Sequence, residues 1–184
     1  MSMYDDLSEI LLSEEKIAEI VKNMGQQISK DYEGKNLLLV SVLKGSLIFM
    51  ADLMRHITVP CSIDFLSVSS YGSGTSTTGE VRILKDLDAS LEGKDVLVVE
   101  DILDSGVTLS YLLKNLSARN PSSIRLCTFL DKPERRRIDV HADYIGASIP
   151  DAFIVGYGLD YSEKYRNIPC VAVLKPEVYT HEKE

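Results

Sequence analysis

Apolar positions follow two rhythms along this chain: short unbroken runs and helically spaced stripes. Val96 to Val99 is an unbroken run rich in β-branched side chains, which suits a strand buried on both faces of a parallel sheet. Leu37 to Leu43 (LLLVSVL) and Ile124 to Leu130 are further strands. The stripes fall between them. Ile17, Ile20, Val21, Met24 and Ile28 mark one helix face, behind Ser13 as N-cap with Glu14 and Glu15 in the first turn; Gly34 ends that segment. Leu47, Met50, Leu53 and Met54 mark a second helix, and Leu109, Leu112, Leu113 and Leu116 a third. Strand, short turn and helix therefore recur, which predicts an α/β protein built on a parallel sheet.

Other segments give a weaker pattern. Met1 to Leu12 reads as an extended or frayed lead-in, and Lys175 to Glu184 as a polar tail. Cys61 to Ser69 fits a strand in part, through Ile63, Phe65 and Val68, and Val81 to Leu84 fits a return strand. Between them, Ser69 to Val81 (SSYGSGTSTTGEV) is too rich in Gly, Ser and Thr to contribute to a core and reads as a mobile loop of the length a functional lid takes. Ser117 to Ser122 is a loop, Ala142 to Gly146 a short strand, Ile149 to Asp151 a turn and Ile168 to Leu174 a closing strand. No repeat, low-complexity stretch or linker interrupts the chain.

Length and composition narrow the class. A chain of 184 residues favours one domain, and 45% hydrophobic with 26% charged residues is ordinary for a globular protein. No apolar run reaches the roughly 18 residues of a membrane helix. The acidic N-terminal MSMYDDLSEI carries no secretory pattern, and three dispersed cysteines, Cys61, Cys127 and Cys170, fit a reducing cytoplasm better than disulfides or zinc. A net charge of −8 argues against nucleic-acid binding.

Candidate chemistry gathers where the central run stops. Glu100 and Asp101 follow Val99 directly, at the expected carboxyl end of the strand, where open α/β sheets bind ligands. Asp104, Ser105, Gly106 and Thr108 then make a turn of small residues before a helix, a pattern that offers N–H groups and hydroxyls to a phosphate. The plainer reading makes Ser105 a helix N-cap and the acids solvated. Lys44-Gly45-Ser46 is a second Gly turn between strand and helix, but no Walker A pattern is present. In the charged run Asp131 to Arg137, Arg136 and Arg137 read as a solvated face, whereas Lys132 stands just past a strand end, in the expected crevice.

The segment VLVVEDILDSGVT resembles the phosphoribosyl-pyrophosphate (PRPP) motif of type I phosphoribosyltransferases, with Val107 where some members carry Lys. Four further segments are similar to that family's, in its order, between about Leu37 and Leu174. The resemblance implies a twisted, mainly parallel sheet flanked by helices with a small hood: one domain over 1–184, its core about 37–150, its hood from the N-terminal segment and about 151–184. Glu100, Asp101, Asp104, Ser105, Gly106, Val107 and Thr108 would hold the ribose phosphate, with Asp104 as the catalytic base for purine N7. Leu43-Lys44-Gly45-Ser46 would bind pyrophosphate, often through a cis peptide in relatives, together with Arg166. Ser70 and Tyr71 match the Ser-Tyr pair of the flexible lid. Lys132 matches the lysine that meets the exocyclic oxygen in 6-oxopurine phosphoribosyltransferases; Phe153 would stack on the base and the Ile154 backbone read its edge. Mg²⁺ is the implied cofactor, through Glu100 and Asp101 or through Asp160, and the two acids are alternatively ribose ligands.

The activity thus implied is purine salvage: PRPP with hypoxanthine or guanine, and possible use of xanthine, in a cytoplasmic homodimer or homotetramer without nucleic-acid or membrane partners. Two alternatives are a PRPP-sensing regulator of the same fold, which would need a basic surface, and a xanthine-preferring enzyme.

Overall fold

The structure, a computed structural model, describes residues 2–70 and 81–180. Its main sheet has six strands: β2 (Leu37–Leu43), β3 (Cys61–Ser70), β4 (Val81–Lys85), β5 (Asp95–Leu103), β6 (Ser123–Asp131) and β7 (Tyr144–Ser148), in the order β4-β3-β2-β5-β6-β7. All neighbouring pairs are parallel except β3 with β4, an antiparallel edge. A smaller antiparallel sheet joins β1 (Leu7–Leu12), β9 (Val171–Leu174) and β8 (Ile154–Val155), so both chain ends contribute to it. The helices are α1 (Glu14–Asp31), α2 (Leu47–Arg55), α3 (Val107–Ser117) and α4 (Pro176–Thr180). None among the described residues is long and apolar enough to cross a membrane.

Alternation along the central strands builds a core on each face of the sheet. Leu37, Leu39, Leu97 and Val99 join the cluster that holds Ile17, Val21 and Ile28 of α1 with Phe49 and Leu53 of α2. Leu38, Val40, Val96 and Val98 join the cluster that holds Leu109, Leu112 and Leu116 of α3. This double burial is why the runs read as continuously apolar.

Strand order then fixes where a ligand can go. From β2 the chain crosses to β3 on one side, and from β5 to β6 and β7 on the other, so order reverses between β2 and β5. Ligands of open α/β sheets bind at such a switch point, beyond the strand carboxyl ends.

Several expectations need correction. The central strand does not end at Glu100: β5 runs to Leu103, because β6 continues to pair with it through Leu103↔Asp131. On its other edge, pairing with β2 stops at Ser41↔Val99, and the released edge opens the crevice. The lead-in is extended only over Leu7–Leu12, where it is strand β1, paired along β9 from Leu7↔Leu174 to Leu12↔Val171; Met3–Asp6 before it is a 3-10 turn. Part of the polar tail is helix α4. The late strands are shifted or shorter: Tyr144–Ser148 and Val171–Leu174.

Candidate active site at the sheet switch point

The turn after β5 is shaped by its backbone. Gly106 has φ +81° and caps α3, so Ser105 is not the N-cap; its Oγ instead accepts from the Val107 N–H at 3.4 Å. A Cβ on Gly106 would lie 2.6 Å from the Ile138 carbonyl oxygen. The segment after the charged run crosses the turn here: Arg137 and Ile138 donate their N–H groups to the Ser105 carbonyl at 2.9 and 3.1 Å. Arg136 is not solvated. Its guanidinium donates to the Asp104 carbonyl at 2.7 Å and pairs with the Asp131 carboxylate, because the run folds back over the turn. The N–H groups opening α3 have no carbonyl partner within the helix, as at anion-binding helix ends, and Ser105, Gly106 and Thr108 border a crevice.

That crevice is a cavity of about 320 Å³ lined by Leu43, Lys44 and Gly45, by Glu100, Asp101, Asp104, Ser105, Gly106 and Thr108, and by Asp160 and Arg166. The structure thus brings together the sequence candidates for ribose phosphate, pyrophosphate and metal, apart from Val107, which opens α3 beside them. The Leu43–Lys44 peptide is cis. Gly45 leaves room for a carboxylate: a Cβ there would lie 1.8 Å from Asp101 Oδ2. Gly158 (φ +99°) approaches Gly45 as closely, a Cβ on it falling 2.1 Å from the Gly45 oxygen. The residues leading to Arg166 therefore pack on the Lys44–Gly45 turn. Lys44 Nζ pairs with Glu163 at 3.0 Å, and Arg166 with Asp160 at 2.9 Å and Glu163 at 3.3 Å. Glu163, which no sequence motif marked, thus bridges both cations.

The acids of β5 differ in environment. Burial, then the neighbouring Asp101 charge, raises the Glu100 carboxyl well above its ordinary range; burial also raises Asp101. Among the described residues, Glu100 Oε2 and Asp104 Oδ1 are buried without a hydrogen-bond partner. The Arg135 guanidinium forms an ion pair with Asp104, its Nε 3.5 Å from Oδ1. No group of three or more His, Cys, Asp or Glu residues among the described residues forms a metal cage.

A second cavity, about 430 Å³, adjoins the first and shares Ile102 and Asp104 with it. Lys132, Arg135, Asp151, Phe153, Ile154 and Tyr179 also line it. Lys132 is 5% exposed and donates from Nζ to the Ala152 carbonyl at 2.8 Å, with Asp151 at 3.7 Å. Phe153 remains 39% exposed, and Ile154 pairs with Val173 of β9. All three purine candidates therefore border one cavity. Of the lid pair, Tyr71 lies outside the described residues; Ser70 is the last residue of β3, and its side chain is likewise outside them. Sequence patterns missed Arg136, hidden in a charge run, and Arg135, Asp151 and Tyr179, which carry no local signal.

Residues 8–162 match the phosphoribosyl transferase domain family. The chain is 54% identical over 97% of its length to the full length of a hypoxanthine-guanine phosphoribosyltransferase of Staphylococcus aureus strain Mu50. It is similar to a crystal structure of a hypoxanthine phosphoribosyltransferase from Staphylococcus aureus (TM-score 0.94, 54% identity, 97% of each chain). It is also similar to a Bacillus anthracis hypoxanthine-guanine phosphoribosyltransferase solved with a HEPES molecule in the active site (TM-score 0.88, 51% identity, 92% of this chain and 99% of that one).

Proposed function

From the premise that this chain belongs to the phosphoribosyltransferase family, we infer that it is a purine-salvage enzyme that transfers the 5-phosphoribosyl group of PRPP to hypoxanthine or guanine, giving IMP or GMP and pyrophosphate. The observation that carries this reading is the pair of adjoining cavities: one lined by an anion-binding turn and two cations, the other by a buried lysine and an exposed aromatic ring, with Asp104 common to both.

In the reaction, N9 of the purine forms a bond to ribose C1′. The C1′–oxygen bond breaks and pyrophosphate leaves with its electron pair. The N7 proton passes to Asp104, whose buried Oδ1 has no competing hydrogen bond among the described residues. Ser105 to Thr108 hold the 5′-phosphate through N–H groups and hydroxyls. Lys44, Gly45 and Arg166 bind pyrophosphate, the two cations exchanging Glu163 and Asp160 for its oxygens. Lys132 gives one proton to Ala152 and has others for the 6-oxo group; an ammonium cannot accept, so the amino group of adenine is refused. Phe153 stacks on the base and the Ile154 backbone reads its edge.

The acids fit Mg²⁺. This ion keeps several waters and takes one or two carboxylates plus substrate phosphates rather than a protein cage. Glu100 Oε2, buried and without a hydrogen-bond partner among the described residues, suits a ribose hydroxyl or a metal-bound water, with Asp101 and Asp160 on the same cavity. When bound, Mg²⁺ supplies charge neutralisation for the departing pyrophosphate.

The domain reading is one unit over 1–184, core about 37–150 and hood from the remaining ends, acting in the cytoplasm as a homodimer or homotetramer. A spectrophotometric assay with PRPP and Mg²⁺ tests the function, offering hypoxanthine, guanine, xanthine and adenine in parallel. Turnover of hypoxanthine and guanine but not adenine is expected; no turnover of any base would overturn the reading.

A further inference from the structure

The C-terminal helix places an aromatic ring where the purine platform needs support. Phe153 directly precedes the two-residue strand β8, its carbonyl accepting from the Leu174 N–H at 2.8 Å, and the residue is 39% exposed. Tyr179 of α4 stacks on that ring, with centroids 4.8 Å apart and planes inclined by 21°. Tyr161 meets the Phe153 ring edge-on, at 5.5 Å and 87°, and the Tyr179 ring at 6.4 Å and 67°. The three rings form one assembly, and Tyr179 itself lines the cavity that holds Lys132 and Asp104. The helix is tied down at its start: the Lys175 N–H donates to the Asp6 carbonyl at 2.9 Å and Lys175 Nζ to the Asp5 carbonyl at 2.6 Å. Val178 and Tyr179 also pack against the cluster of Val155, Tyr165 and Leu174.

We propose that Tyr179 is a positioning residue for purine binding: its ring backs Phe153 and fixes the plane on which the base stacks. The proposal rests on the function inferred above. A purine stacks well only on a ring whose orientation is set beforehand, since ordering a free ring on binding costs affinity. An aromatic neighbour in offset stacking sets that orientation without using hydrogen-bond groups. The C-terminal helix thereby couples the ends of the chain to base affinity, and PRPP binding, on the other cavity, is outside its reach.

Steady-state kinetics of the full chain test this with Tyr179→Ala and Tyr179→Phe, titrating hypoxanthine and PRPP separately. Loss of an aromatic pair predicts that Tyr179→Ala raises the KM for hypoxanthine about three- to tenfold. The KM for PRPP and kcat should move less than the hypoxanthine KM, and Tyr179→Phe should recover the parent value. Equal rises in both KM values would mean a general loss of structure and overturn the proposal. So would an unchanged hypoxanthine KM, a Phe variant as weak as Ala, or a lower KM in Tyr179→Ala, which would make the ring an occupant of the base position. Absence of turnover in the parent enzyme with any 6-oxopurine would instead overturn the functional reading beneath it.

Discussion

Asp104 and Glu100 lie on the same strand-and-turn segment, yet their settings give them different tasks. Asp104 contributes its carbonyl to the Arg136 guanidinium, while Oδ1, at the junction of the two cavities, has no hydrogen bond among the described residues and an ion-pair partner in Arg135 at 3.5 Å. Asp104→Asn keeps the shape but cannot take the N7 proton, so kcat is expected to fall by about 10²–10⁴ with a much smaller change in the KM for PRPP; an unchanged kcat removes Asp104 from that role. Glu100 is a buried acid whose carboxyl is pushed well above its ordinary value of 4.5, mainly by burial. Such a group binds its proton more tightly folded than unfolded, so it costs nothing below the unfolded pKa and destabilises progressively as pH climbs above it. Glu100→Gln removes that cost. Its gain in Tm over the parent should vanish in acid and grow as pH rises, at about 2–4 °C for each kcal/mol recovered. The PRPP KM should rise with the loss of an acceptor. Thermal unfolding across pH checks the first point; a gain independent of pH would show that Glu100 titration is not its source.

The element that matters most is the turn between β5 and α3, held from both sides. Arg136, Arg137 and Ile138 tie its carbonyls down, and Gly106 lets their backbone approach. A methyl at Gly106 meets the Ile138 oxygen and also strains a positive φ, together costing about 1–3 kcal/mol. Gly106→Ala is therefore expected to raise the KM for PRPP about tenfold or more, with a smaller effect on the KM for hypoxanthine. Kinetics with PRPP titrated at saturating base measure this, and a parent-like PRPP KM would mean that the turn tolerates the displacement. The stripe Leu109, Leu112 and Leu116 behind the turn only anchors α3 to the sheet. Local pattern sufficed for that helix and for the apolar strands, because both are decided by which side chains leave water.

At the scale of the whole molecule, the chain ends close one side of the base cavity. β1 pairs with β9, β9 with β8, and Phe153 hangs from that small sheet, its carbonyl accepting from the Leu174 N–H at 2.8 Å. Tyr165 Oη adds a bond to Asp6 at 2.8 Å. Removing residues 2–12 strips β9 of one of its two partners and takes away the apolar contacts of Leu7, Leu11 and Leu12. Tm should fall by about 10 °C, and the KM for hypoxanthine should rise more than that for PRPP. Calorimetry and kinetics on the shortened chain test it; equal rises would mean that the small sheet supports both cavities alike.

The sequence alone determined the local parts: three doubly buried strands, three striped helices, a small-residue turn flanked by acids, and a lysine just past a strand end. Each follows from side chains near one another along the chain, where periodicity and turn chemistry act. The tertiary structure decided what those parts face. Strand order put the reversal between β2 and β5, and continued pairing with β6 carried β5 past Glu100 to Leu103. A charge run reads the same whether solvated or folded back, so Arg136 could be placed only once its partner at Asp104, 32 residues away, was in view. Tyr179 came from a tail with no pattern of its own and found Phe153 through the packing of both chain ends. Contacts of this kind depend on long-range pairing, to which no local spacing corresponds.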